Sequence, residues 1–139
     1  PLGQARPMTP VLGQALSLEL TTGPPTWSHW PSVLVDQGFN LIPTATGRLL
    51  LGATVEPGDR ASKDPLTLMR NLNERAPEWL RSATVVGHWS GLRARPVDRA
   101  APLLEELEPG LILASGHYRN GVLLTPGTAE WVAAAVEQA

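Results

Sequence analysis

The chain has 139 residues, 42% of them hydrophobic, with a formal net charge of −2 and no cysteine. That length and apolar content support a real core and exclude a disordered chain. The near-neutral balance removes any bulk electrostatic case for nucleic acid, and the lack of cysteine rules out a disulfide framework, a thiolate metal site and a cysteine nucleophile.

The first residues, Pro1-Leu2-Gly3-Gln4-Ala5-Arg6, lack the apolar core of a signal peptide and read as a cut through a longer chain. From there 13 glycines and 14 prolines punctuate the sequence into short elements. Val11 to Leu20 alternates roughly as a strand, and Thr21-Thr22-Gly23-Pro24-Pro25 ends it. Ser32 to Gln37 is a second strand candidate. Phe39 to Pro43 and Arg48 to Thr54 form a predicted hairpin turning at Ala45-Thr46-Gly47. Val55 to Ser62 reads as a loop. A helix follows, with Asp64 as N-cap and Pro65 in the first helical position. Leu68, Met69, Leu72 and Ala76 recur along it at helical spacing until Pro77 stops it. Ala83 to Leu92 is a strand closing in a Gly-Leu-Arg corner. Val97 to Pro109 is a loop, with one helical turn at Leu103 to Glu106. Gly110 to Ser115 reads as a buried strand. The last helix runs from about Pro126 to Glu137, with Trp131, Val132 and Val136 on its inner face. Strands outnumber helices and are joined by short turns, which predicts an α+β fold with a largely antiparallel sheet and flanking helices. No apolar run approaches membrane-spanning length, and the pattern fits a cytoplasmic protein.

Two constellations could carry chemistry. Ten of the 11 basic residues are arginines, a bias that fits a GC-rich genome and also suits planar recognition of carboxylates and phosphates. In Trp89-Ser90-Gly91-Leu92-Arg93, an arginine at a strand end beside a glycine can clamp a carboxylate with two parallel hydrogen bonds; on spacing alone it reads more readily as a surface arginine after an edge strand. Arg95 and Arg99 read as solvated loop charges. In Gly116-His117-Tyr118-Arg119-Asn120-Gly121-Val122-Leu123, a polar turn lies between a strand and a helix N-terminus. Backbone N–H groups and the positive helix end could there receive an anionic ligand; the plain alternative is an ordinary connecting loop. His29, His88 and His117 lack metal-ligand spacing. Glu105, Glu106 and Glu108 read as solvated surface carboxylates, and the five tryptophans as core and rim packing.

Several of these words, in order, resemble the C-terminal half of the glycine oxidases of the thiamine-biosynthesis type, within the D-amino-acid oxidase-like flavoenzymes. Gly13-Gln14 resembles the entry to their substrate domain. Leu41-Ile42-Pro43, Gly47-Arg48-Leu49 and Gly52-Ala53-Thr54 resemble their hairpin. Trp89 to Arg93 resembles their W-[AS]-G-L-R segment, and Gly116 to Leu124 their G-H-[YF]-R-N-G-I-L-L segment. The resemblance implies a substrate-domain portion over residues 1–92 and a flavin-facing segment over 93–139. It implies FAD as cofactor in the complete enzyme and a small amino acid, glycine or similar, as substrate. The implied reaction yields an imine that hydrolyses to glyoxylate, with ammonia and hydrogen peroxide released, or that passes to thiazole formation.

By the same resemblance Arg93 matches the arginine that grips the substrate carboxylate, and Arg119 a second arginine at the substrate. His117, Tyr118, Arg119, Asn120, Gly121, Val122 and Leu123 match residues that face the flavin. No G-x-G-x-x-G with a following helix and acidic ribose partner occurs, so the nucleotide-binding half is expected from elsewhere. Asn40 stands where the family tends to place an aromatic substrate neighbour, which leaves pocket size and substrate preference open, a sarcosine- or D-amino-acid-preferring relative included. Glu105 replaces the last glycine of the family's D-G-x-P-x-I-G. The rival reading is a non-catalytic α+β interaction or scaffold domain built on the same fold.

Overall fold

A computed structural model describes residues 3, 5–22 and 29–138. Gly23, Pro24, Pro25 and Trp27 of the expectations above lie outside the described residues. The chain divides into a sheet unit, Leu12–Gly91, and a terminal unit, Pro1–Val11 with Leu92–Ala139.

In the sheet unit, alternation of apolar residues dictates the architecture. β1 (Met8–Glu19), β3 (Phe39–Ala45) and β4 (Arg48–Gly52) form an antiparallel core, flanked by β2 (Leu34–Asp36), the two-residue β5 (Glu56–Pro57) and β6 (Thr84–Pro96). The strand order is β2-β3-β4-β1-β5, with β6 also paired to β1. Leu16 stands opposite Leu51, Leu18 opposite Leu49, and Leu41 opposite Leu51. Directly opposed residues share a face, so all five leucines point to one side and are buried there. Burial of each contributes about 1.5–3 kcal/mol. Met69, Leu72, Ala76, Leu80 and Ala83 complete that core. Trp30 and Trp79 pack against it edge to face, 5.6 Å between ring centroids. Trp89 is exposed and Trp131 half-buried.

The helix over this core departs from the expected one at both ends. α1 (Lys63–Arg70) is capped by Ser62, whose Oγ accepts the Asp64 N–H at 3.3 Å. Asp64 therefore sits in the first turn, where its charge suits the helix dipole. The helix stops at Asn71, well before Pro77. Asn73 N donates to Leu68 O and Leu72 N to Met69 O, the bond pair of a Schellman stop. Leu72, Asn73 and Glu74 then run left-handed, with φ of 44°, 52° and 72°. Glycine usually fills the first of these positions. Leu72 pays the strain of about 1–2 kcal/mol because its side chain is almost wholly buried. A second short helix, α2 (Glu78–Arg81), follows. The Arg70 guanidinium donates to the carbonyls of Leu80, Arg81 and Ala83, closing its C-terminal end; burial lowers the pKa of Arg70.

In the terminal unit, β7 (Leu103–Glu108) and β8 (Leu111–Ser115) form an antiparallel hairpin, its turn made possible by Gly110 at φ +79°. This corrects the expected loop and helical turn over 97–109. Leu-Leu-Glu-Glu suits a helix locally, but pairing with β8 overrides that propensity. Glu105 is not a solvated charge: Arg6 Nε donates to it at 2.7 Å, and Arg99 pairs with its other oxygen. β8 is half-buried instead of buried. α3 (Gly121–Glu137) begins at Gly121, not near Pro126. Pro126 lies inside it and deprives the Val122 carbonyl of its helical N–H; Val122 is 94% exposed, so water can satisfy that carbonyl. Trp131 and Val132 face inward by half, whereas Val136 is exposed. The architecture is α+β with largely antiparallel sheets. Among the described residues no helix is long and apolar enough to cross a membrane.

Candidate functional site

The segment Trp89 to Arg93 forms no corner. Gly91 does not adopt a positive φ, and the β6 strand assignment continues through it to Pro96. Nor does Gly91 admit a close neighbour: a Cβ there would meet nothing within 4 Å among the described residues. Arg93 is therefore an interior strand residue. It is half-buried and lines a cleft of about 230 Å³ with Met8, Pro10, Leu92 and Ala94.

Strand parity places Arg95 on the same face as Arg93. The Arg95 guanidinium lies over the Tyr118 ring, 5.7 Å from its centroid, within range of a cation–π contact. Arg95 is thus a residue of this region that the sequence reading left as a loop charge. The signal was available: an arginine two residues beyond Arg93 shares its face if the strand continues. Arg99 is engaged with Glu105.

The turn after β8 is held close by Gly116. Its φ is +68°, and a Cβ there would lie 2.9 Å from Pro96 Cγ and 3.2 Å from Met8 Cε. Met8 thus borders both the Arg93 cleft and this turn. Replacing Gly116 by Ala is expected to cost about 2–3 kcal/mol, from left-handed strain plus overpacking against a proline ring. Urea denaturation of the two proteins checks this; equal midpoints would show that Gly116 does not set the turn.

Beyond Gly116, Tyr118 also runs left-handed at φ 54°, and Asn120 N donates to His117 O at 3.1 Å. The His117 ring is occupied by Thr128, Nε2 to Oγ1 at 2.8 Å. Arg119 and Asn120 are exposed. Gly121, Val122 and Leu123 are not loop residues; they form the first turn of α3. Asn120 caps that helix without a side-chain hydrogen bond, and no acidic residue occupies the first turn. The leading N–H groups are thus left to an outside acceptor. Gly121 adds no side chain in front of them. Arg93, Arg95 and Arg119 add positive charge on β6 and in the turn, while Glu105 is paired with Arg6 and Arg99. Such an arrangement suits a ligand with anionic or electron-accepting character. Among the described residues no group of three or more His, Asp or Glu could hold a metal ion.

Comparison with known proteins shows the family of the chain. The model of the FAD dependent oxidoreductase family matches residues 1–135. A glycine oxidase of Geobacillus kaustophilus is 38% identical over 111 residues, covering 77% of this chain and 29% of that protein. A bifunctional protein ThiO/ThiG of Synechocystis is 35% identical over 131 residues, 88% of this chain and 19% of that protein. The crystal structure of glycine oxidase from Geobacillus kaustophilus superposes with a TM-score of 0.77 at 31% identity, covering 99% of this chain and 37% of that one. The chain thus spans about a third of the length of the glycine oxidases it matches. With nearly all of its residues inside the family match, and with the fold of a solved relative, the chain belongs to the FAD dependent oxidoreductase family.

Proposed function

We propose that this chain supplies the substrate-binding and flavin-facing part of an FAD-dependent amine oxidase acting on glycine or a similarly small amino acid. The observation that carries the reading is Arg93: a half-buried arginine lining a small cleft, on the strand face whose next arginine stacks on Tyr118. A guanidinium held in that way presents a fork that matches a carboxylate. Arg119 is the second arginine at the substrate. The segment from His117 to Leu123 faces the flavin, with the uncapped N–H groups of α3 as its donors. Thr128 fixes the His117 ring, so His117 shapes the turn and leaves its backbone for the cofactor.

FAD, held by His117 to Leu123, would supply the hydride-accepting and oxygen-reducing chemistry, with hydrogen peroxide as the reduced product. The chain's own residues hold the carboxylate, orient the α-carbon and supply positive potential where negative charge develops. The imine product hydrolyses to glyoxylate and ammonia. The relative named ThiO/ThiG supports a place in thiamine thiazole synthesis. The ADP half of the dinucleotide is held by a nucleotide-binding portion outside this chain.

Two measurements test the reading. A full-length enzyme carrying this segment is expected to form peroxide from glycine, with sarcosine and D-alanine as comparison substrates; no peroxide from any of the three would overturn it. The isolated chain is expected to bind FAD weakly and to show no turnover, because it lacks the contacts that fix the pyrophosphate. Flavin fluorescence titration checks that, and tight stoichiometric binding would contradict it.

A further inference from the structure

The sheet unit carries a second cleft, which amine oxidation does not use. It holds about 330 Å³ and is lined by Leu16, Leu66, Thr67, Arg70, Val85 and His88, all from that one unit. Leu16 of β1, Leu66 of α1 and Val85 of β6 make it apolar. Thr67, Arg70 and His88 add hydrogen-bonding groups, and no carboxylate lines it.

Arg70 has donor capacity to spare. A guanidinium has five N–H donors. Arg70 directs three at the carbonyls of Leu80, Arg81 and Ala83, so two remain. Those partners are neutral and leave its charge uncompensated. His88 is set by its neighbour. Gln14 Nε2 donates to Glu56 Oε1 at 2.7 Å and to the Ser62 carbonyl at 2.9 Å, which fixes the amide's orientation. Its Oε1 lies 3.0 Å from His88 Nε2, and an oxygen can only accept, so Nε2 carries the hydrogen. Nδ1 then carries only a lone pair, so His88 offers a carboxylate no hydrogen bond and serves as a wall of the cleft.

An apolar hollow with an uncompensated cation and a hydroxyl selects its occupant by charge. We propose that this cleft binds a small amphiphilic monocarboxylate, its head at Arg70 and Thr67 and its short hydrocarbon tail on Leu16, Leu66 and Val85. An amino-acid zwitterion is disfavoured, because no lining carboxylate would receive its ammonium group. The site is therefore distinct from the one proposed at Arg93.

The test is a methyl-NMR titration of the 139-residue chain with hexanoate, and in parallel with hexan-1-ol, acetate and glycine. Hexanoate is expected to give saturable shifts at the Leu16, Leu66 and Val85 methyls, with Kd on the order of 0.1–1 mM for a ligand of that size. Hexanol, which lacks the head, and acetate, which lacks the tail, are expected to bind at least about tenfold more weakly. Thr67 is exposed, so Thr67→Asp adds a repelling charge at the rim without disturbing the core; it is expected to weaken hexanoate by about tenfold or more. Arg93→Ala is expected to leave hexanoate binding unchanged. Equal affinity for hexanol and hexanoate, absence of shifts at those three residues, or binding lost with Arg93→Ala and kept with Thr67→Asp would each overturn the proposal. Failure of the peroxide assay would leave it standing.

Discussion

In a full-length enzyme carrying this segment, replacing Arg93 by Ala is expected to lower kcat/KM for the amino acid about 100-fold, almost entirely through KM. Truncating one partner of a desolvated, hydrogen-bonded charge pair costs about 2–5 kcal/mol, and about 1.4 kcal/mol corresponds to a factor of ten. Arg93 is half-buried in its cleft, which places the effect in the lower part of that range. The split between constants follows from where the charge sits. The carboxylate keeps its charge while the α-carbon reacts, so the guanidinium holds ground state and transition state alike, and its loss raises KM with little change in kcat. Arg93→Lys is expected to recover only part of the loss, since an ammonium keeps the charge but not the bidentate fork. Steady-state peroxide release over a range of glycine concentrations separates the constants. An unchanged KM in Arg93→Ala would remove the carboxylate clamp and favour the scaffold reading.

Local sequence announced some of these elements and concealed others. The β3–β4 hairpin was legible because Phe39 to Pro43 and Arg48 to Gly52 alternate about a turn that needs Gly47, which indeed sits at φ +73°. β7 was concealed: its leucines and glutamates suit a helix, and only pairing with β8 and the arginines on Glu105 make it a strand. The end of α1 was concealed for the opposite reason. Leu72 keeps helical spacing with Met69 yet occupies a left-handed position where glycine is usual. Pro126 misplaced the start of α3, since a proline reads as a first-turn residue even when the helix has begun upstream. For the candidate site the motif words point to Arg93 and the 116–124 segment. Ending the strand at Leu92 hid Arg95, whose contact with Tyr118 depends on β6 running to Pro96. The polar cluster behind Gln14 was beyond local reading, because its partners Glu56 and His88 lie 42 and 74 residues away.

That cluster carries the other large expected effect: Glu56→Ala is expected to destabilise the chain by about 4 kcal/mol. Glu56 is 5% exposed, Gln14 and Thr54 2% each. Thr54 Oγ1 accepts the Gln14 N–H at 2.8 Å and donates to Glu56 Oε1 at 2.5 Å. Gln14 Nε2 reaches the same oxygen at 2.7 Å, and Ser62 N reaches Oε2 at 3.0 Å. One carboxylate thus joins β1 to the segment that leads into α1. Hydrogen bonds to a charged group contribute about 1.5–3 kcal/mol each, and removing the acceptor leaves buried donors unmet. Burial alone would raise the Glu56 pKa, but the bonds from Thr54, Gln14 and Ser62 outweigh it and hold the pKa below the ordinary 4.5. The sign follows. As pH falls below that ordinary value the unfolded chain takes up the proton before the folded one does, so stability from Glu56 is fully present above it and drains away toward the lower folded value. Urea midpoints for the parent chain should therefore decline as pH drops from about 4.5, more steeply than those of Glu56→Gln, which has no proton to take up. Parallel declines in the two proteins would show that Glu56 is not held ionised by its donors.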